Sequence, residues 1–108
     1  MITIQYNSGL VTLINAFSCE PKFQGDLVKA ATEVELGRLS GIISAALNRS
    51  MDGTRVVNYA QWRSAEDWEN LTRVGTMKKH FERMGRFGKP DAHLYEVVYT
   101  LDRTANRT

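Results

Sequence analysis

Residues 55–71, RVVNYAQWRSAEDWENL, constrain the fold most, because their period changes in the middle. Up to Trp62 the side chains alternate: Val56, Asn58, Ala60 and Trp62 lie on one side, Val57, Tyr59 and Gln61 on the other. That is the two-residue period of a strand. From Ser64 the spacing becomes helical. Ser64 stands where an N-cap belongs, and Asp67 follows three residues later, as in a capping box with Asp in place of Glu. Glu66 and Asp67 also suit the positive end of a helix dipole. A strand running straight into a helix makes a corner. Tyr59, Trp62, Trp68 and, further on, Phe81 gather there with the amide of Asn58, so a pocket in this chain has one wall at this corner.

The remaining chain supplies partners for that strand. Residues 10–18 set Val11, Leu13, Asn15 and Phe17 against Thr12, Ile14 and Ala16, a strand largely apolar on both faces that Pro21 closes. Residues 24–38 place Leu27, Ala30, Ala31 and Val34 on one helical stripe, with Gly37 and Ser40-Gly41 as the stop. Residues 42–49 form a second strand, and Asp52-Gly53 is a hairpin signal joining it to residues 54–62. The helix after Ser64 fades near Gly75, and residues 76–85 place Met77, His80 or Phe81, and Met84 on one face of a second helical segment. Residues 85–89 read as a flap over a cleft or as a solvated connection. Pro90 then leads into a last strand in which His93, Tyr95, Val97, Tyr99 and Leu101 alternate with Leu94, Glu96, Val98 and Thr100.

Residues 1–9 read as a leader or a short edge strand and 103–108 as a polar tail, leaving 10–102 as one domain. The order is βαββαβ: an α+β, ferredoxin-like arrangement with an antiparallel four-stranded sheet and helices on one face. The other face also carries large apolar residues. A second copy of the chain is the simplest cover, so a homodimer is expected.

Composition removes several functions. The 14 basic and 12 acidic residues are spread along the chain, and a net charge of +2 with no basic stripe gives nucleic acid nothing to bind. A single cysteine, Cys19, rules out an intramolecular disulfide and fits a reducing cytoplasm. There is no signal-peptide pattern and no run of about 18 apolar residues to span a membrane. Two histidines and one cysteine offer no metal-ligand spacing, and no glycine-rich dinucleotide fingerprint follows a parallel strand.

Residues 40–71, SGIISAALNRSMDGTRVVNYAQWRSAEDWENL, closely resemble the antibiotic-biosynthesis monooxygenase (ABM) family. The likeness lies in the glycine opening the second strand, the N-R-S-x-D-G-T hairpin, and the strand N-Y-A-Q-W-R-S entering an acidic helix. With the L-Y-E-V-V end strand it spans residues 10–101. The resemblance implies a dimeric α+β barrel and cofactor-independent oxygenation of a small phenolic, anthrone-type or quinonoid aromatic by O2. The substrate is deprotonated to a carbanion or enolate that hands an electron to dioxygen, so neither flavin nor metal is required. The family also contains haem degraders with a helical tryptophan and an axial histidine; here Leu71 falls at that tryptophan and His80 lies near the histidine. A non-catalytic dimer binding a small ligand is the third reading.

The resemblance carries Asn58 and Trp62 over as amide and indole donors to a developing oxyanion. Trp68 stands where a tyrosine is frequent; it offers an N–H and a flat wall but cannot ionise. Arg83 and Arg86 are candidates for the family's arginine. The catalytic set is therefore Asn58, Trp62 and His80, with Trp68, Asn15, Phe81 and Arg83 for substrate binding and no metal. Each residue also has a structural reading. Trp62 can be a core ring. Asn58 is either bonded to its neighbours or placed for a ligand, since an unpartnered buried amide costs about 1–3 kcal/mol. His80 suits a general base, with an ordinary pKa near 6.5, or is a half-exposed helix residue. His93 is structural or at the dimer face, and Tyr59 faces away from Asn58 and Trp62.

Overall fold

A computed structural model describes residues 9–33 and 39–103. The chain runs β1 (Val11–Ser18), a 3₁₀ turn (Pro21–Phe23), α1 (Gln24–Thr32), β2 (Ile42–Arg49), β3 (Arg55–Trp62), α2 (Ala65–Leu71), α3 (Gly75–Gly85) and β4 (Ala92–Tyr95). The sheet is antiparallel with the order β2-β3-β1-β4, the ferredoxin-like topology expected from the element order.

The alternation in β1 and β3 decides what the helices cover. Leu13, Ala60 and Trp62 pack with Leu71 and Met77 in one cluster; Phe17 and Val56 pack with Leu27, Ala30 and Met84 in another. Burial of each large side chain contributes about 1.5–3 kcal/mol. Between the clusters the same face carries Asn15 and Asn58, which oppose each other in the β1–β3 register. The two cores are thus separated by a pair of amides. Phe81 packs against both.

The corner after β3 forms as its sequence dictates. Ser64 is extended, and its hydroxyl accepts a hydrogen bond from the Asp67 N–H at 3.1 Å. The Asp67 carboxylate does not complete the capping box; it accepts from Arg63 Nε at 3.0 Å. Gly41 makes room for this pair. Its φ is +90°, and a Cβ there would lie 2.6 Å from the Asp67 side chain. At the other end of the sheet the Asp52-Gly53 hairpin docks on the start of α1, where the Gln24 amide donates to the carbonyls of Ser50 and Arg55, each at 3.0 Å.

Three expectations change. α1 ends at Thr32 with Glu33 as its C-cap, and the continuation to residue 38, including Val34 and Gly37, lies outside the described residues. The connection 85–89 is pinned in place and not a flap, and it is solvated only in part, at Gly85, Arg86 and Lys89. Phe87 packs on Phe23 and the second core cluster, Lys89 exchanges backbone hydrogen bonds with Ser18, and a Cβ on Gly88 would come within 2.9 Å of the Ser18 carbonyl. The last strand is also shorter than its alternation predicts. Tyr95 already pairs with Thr12, one residue from the start of β1, so the chain beyond it has run out of partner strand. Val98, Tyr99 and Leu101 are left 71%, 77% and 70% exposed.

Among the described residues no helix is long and apolar enough to cross a membrane, and no three His, Cys, Asp or Glu side chains are grouped to hold a metal.

Candidate active site

On the helix-bearing face a cleft of about 260 Å³ lies where the amide pair separates the two cores. The sheet contributes Asn15, Asn58 and Trp62; α2 contributes Trp68 and Leu71; α3 contributes Met77, His80, Phe81 and Met84. The α3 set is the i, i+3, i+4, i+7 stripe of one helical face. The end of α1 closes another side with Ala31 and Thr32.

One wall is a run of rings. Trp62 meets Trp68 edge-on at 5.6 Å between centroids, Trp68 meets Phe81 at 6.0 Å, and Phe81 meets His80 at 5.8 Å. These are the tilted arrangements that aromatic quadrupoles favour, and together they make an apolar surface suited to a flat ligand.

The polar atoms of this cleft are conspicuous for what they lack. Trp62 is 1% exposed, and its indole Nε1 is buried with no hydrogen-bond partner. Asn15 Oδ1 is likewise buried and unpaired. A buried unpaired donor or acceptor costs about 1–3 kcal/mol. Two of them on residues that line one apolar cleft are therefore a standing cost to the resting fold. His80 is half-buried. Burial lowers the pKa of its imidazole, Glu33 acts to raise it, and Arg83 acts to lower it. The net shift is downward, so the neutral ring that can accept a proton is favoured.

Six of the seven residues singled out from the sequence line this cleft: Asn15, Asn58, Trp62, Trp68, His80 and Phe81. Arg83 does not. It falls off the cleft-facing stripe of α3, and its guanidinium donates to Glu33 Oε1 at 2.9 Å. Arg86, the other candidate arginine, is exposed at the C-cap of α3. Leu71, which the resemblance set against the tryptophan of haem degraders, lines the cleft. His93 is exposed on β4, with Nε2 2.7 Å from Asp91 Oδ1.

The sequence reading missed Ile42, Ala45 and Leu47, which line the cleft from β2. Strict alternation cannot select these three together. A register shift between Ile42 and Ser44 moves the cleft-facing set by one residue, and Ile43 is left 55% exposed in the irregular step.

No family model matches the sequence. The chain is 32% identical to the tetracenomycin-F1 monooxygenase of Streptomyces glaucescens over 108 residues, which is 97% of this chain and 96% of that protein. A monooxygenase from the gene ActVA-Orf6 of Streptomyces coelicolor, solved in complex with nanaomycin D, superposes with a TM-score of 0.75 at 27% identity, covering 84% of this chain and 89% of that one. SnoaB, a cofactor-independent oxygenase from Streptomyces nogalater, superposes with a TM-score of 0.70 at 20% identity, covering 85% and 96%.

Proposed function

The chain belongs to the antibiotic-biosynthesis monooxygenase family, and from that premise we propose that it oxidises a phenolic, anthrone-type or quinonoid polycycle with O2 and no cofactor. The observation that carries this reading is the buried, unpaired N–H of Trp62 in a cleft walled by Trp68 and Phe81. It is a fixed donor in an apolar place, which is what a developing oxyanion needs and what water would otherwise provide.

In this reading the flat substrate lies along the ring wall. His80 accepts a proton from the activated ring carbon or its hydroxyl, and burial keeps the imidazole neutral for that task. The charge left on the substrate oxygen is held by the Trp62 indole and the Asn58 amide. Asn15 Oδ1 accepts from a second substrate hydroxyl and so fixes the ring in its plane. The carbanion gives an electron to O2, the radical pair recombines as a peroxide anion, and the His80 imidazolium returns its proton to give the hydroperoxide. Loss of water converts the ring CH2 to a carbonyl, so one oxygen atom stays in the product and the other leaves as H2O.

The active form is a homodimer. Ile14, Ala16, Val57 and Tyr59 on the sheet face away from the helices are only half-buried, and the bare Val98, Tyr99 and Leu101 continue past β4. A second copy laid on that face covers both. We place the protein in the cytoplasm, where the thiol of Cys19 stays reduced.

The test is oxygen consumption by metal-free protein with a panel of anthrones and hydroquinones, with a haem titration run in parallel. Uptake that collapses in Trp62→Phe supports the assignment. Uptake unchanged in that variant removes Trp62 as donor, and a tight Soret shift without uptake moves the protein to haem binding. Light scattering at about 12 kDa in micromolar solution would remove the dimer.

A further inference from the structure

Arg83 carries the inference because it is so close to the cleft and yet turned from it. Its guanidinium engages both carboxylate oxygens of Glu33 through separate nitrogens, a two-point fork. Glu33 is the residue that ends α1, next to the cleft-lining Thr32. Arg83 lies three residues beyond the cleft-lining His80 on α3. The ion pair therefore joins the end of α1 to α3, the two helices that carry Thr32 and His80 into the cleft. The His80 ring makes no hydrogen bond to any described residue, and it stacks at a tilt against the Phe81 ring at 5.8 Å. In a familiar base–orienter arrangement a carboxylate bonds directly to the imidazole. Here the nearby carboxylate is taken by an arginine.

We propose that Glu33 and Arg83 are positioning residues for His80: their ion pair ties α1 to α3 across the cleft and sets the electrostatic field at the imidazole, while neither side chain touches the substrate. The proposal rests on His80 as the base of the oxygenation. Its physical content is that the two partners pull in opposite directions. The Glu33 carboxylate favours the protonated ring, the Arg83 guanidinium disfavours it, and burial, the largest influence, also disfavours it. Among the described residues these are the ionisable groups that bear on the ring from α1 and α3; the sheet and α2 walls present Asn15, Asn58, Trp68 and Leu71, which carry no charge. With both partners half-exposed, the pair adds little to stability. Its value lies in the field. A purely structural ion pair would give two variants with similar defects. A positioning pair gives variants whose effects have opposite sign.

The experiment follows the His80 imidazole by NMR titration in the full chain, with His93→Gln to assign the signal, in Glu33→Gln, Arg83→Gln and the double variant. The dependence of kcat/KM on pH is measured alongside with an anthrone. Glu33→Gln is expected to move both the His80 midpoint and the acid limb of kcat/KM to lower pH. Arg83→Gln is expected to move them to higher pH, Arg83→Lys to restore the parent value, and the double variant to lie between the singles. Shifts of the same sign, or no shift in the NMR midpoint, overturn the positioning pair whatever the activity does. Opposite NMR shifts with an unmoved acid limb support the pair and overturn instead the assignment of His80 as base.

Discussion

The hairpin at residues 50–55 and the cleft are both places where polar side chains meet the sheet, and they treat those side chains in opposite ways. In the hairpin the Asp52 carboxylate accepts from Ser50 Oγ and Thr54 Oγ1, each at 2.7 Å, and from the Thr54 N–H at 3.0 Å. Ser50 Oγ in turn accepts from the Arg55 N–H at 2.9 Å, and Gln24 ties the hairpin to α1. The polar groups there serve one another. In the cleft, Trp62 Nε1 and Asn15 Oδ1 serve nothing in the resting fold. Partnered groups hold a structure together; unpartnered buried ones lower its stability and are retained where something else completes them. Thr12 Oγ1 and Gln61 Nε2, outside the cleft, are buried and unpaired as well, so it is the ring-walled cleft around Asn15 and Trp62 that sets those two apart for chemistry.

Substitutions on the two sides should therefore separate activity from stability. The largest effect is expected from Trp62→Phe, which keeps the ring and removes the N–H. Loss of one oxyanion donor corresponds to about 10²–10³-fold in kcat, with a melting temperature close to the parent; a large fall in melting temperature with activity retained would reverse the contrast. Next is Ser50→Ala in the hairpin. Removing this hub is expected to cost about 1–2 kcal/mol, or roughly 4–8 °C in Tm per kcal/mol, with kcat/KM unchanged under conditions where the variant is folded. Smaller still is Asn15→Leu, read by thermal melts and oxygen uptake. Deleting an unpaired buried acceptor should leave Tm equal or higher while weakening substrate binding; a clear drop in Tm would mean the amide has a structural partner in solution.

Acid titration gives the finest distinction. Hydrogen bonds from the Thr54 and then the Ser50 hydroxyl, followed by the Thr54 N–H, hold the Asp52 carboxyl at about 2, below its ordinary 3.8. Its contribution to stability is complete above the ordinary value and is lost only as pH falls towards 2. The His80 pKa is also lowered, chiefly by burial, so the neutral ring favours the fold above 6.5 and that preference is lost as pH falls below it. Oxygen uptake should thus decline at a pH where the hairpin is still intact. Activity and stability that fall together, followed by the two assays on one pH series, would remove that ordering.

Much of this was legible in the residues. The period change at Ser64 placed a strand-to-helix corner, Asp52-Gly53 placed the hairpin, and alternation put Val56, Asn58, Ala60 and Trp62 on one face of β3. Each is a local rule acting over a few residues, and six of the seven site candidates line the cleft because such rules decide facing. The errors came where a distant partner decides. The pairing of β4 stops at Tyr95 because β1 begins at Val11, a limit that no reading of the alternating segment from His93 to Leu101 can detect. The shift between Ile42 and Ser44 changes which β2 residues reach the cleft.

The sequence by itself determined the order and type of the elements and the faces of the central strands, because backbone period and capping chemistry are written within a turn or a strand. Only the tertiary structure decided that Asn15 opposes Asn58 between two cores, that Arg83 turns to Glu33 and away from the cleft, and that Trp62 Nε1 is left without a partner. Those outcomes depend on register and on helix-to-helix approach across some 50 residues of chain. Whether a polar group is satisfied is a property of its surroundings, and its surroundings exist only once the chain has folded.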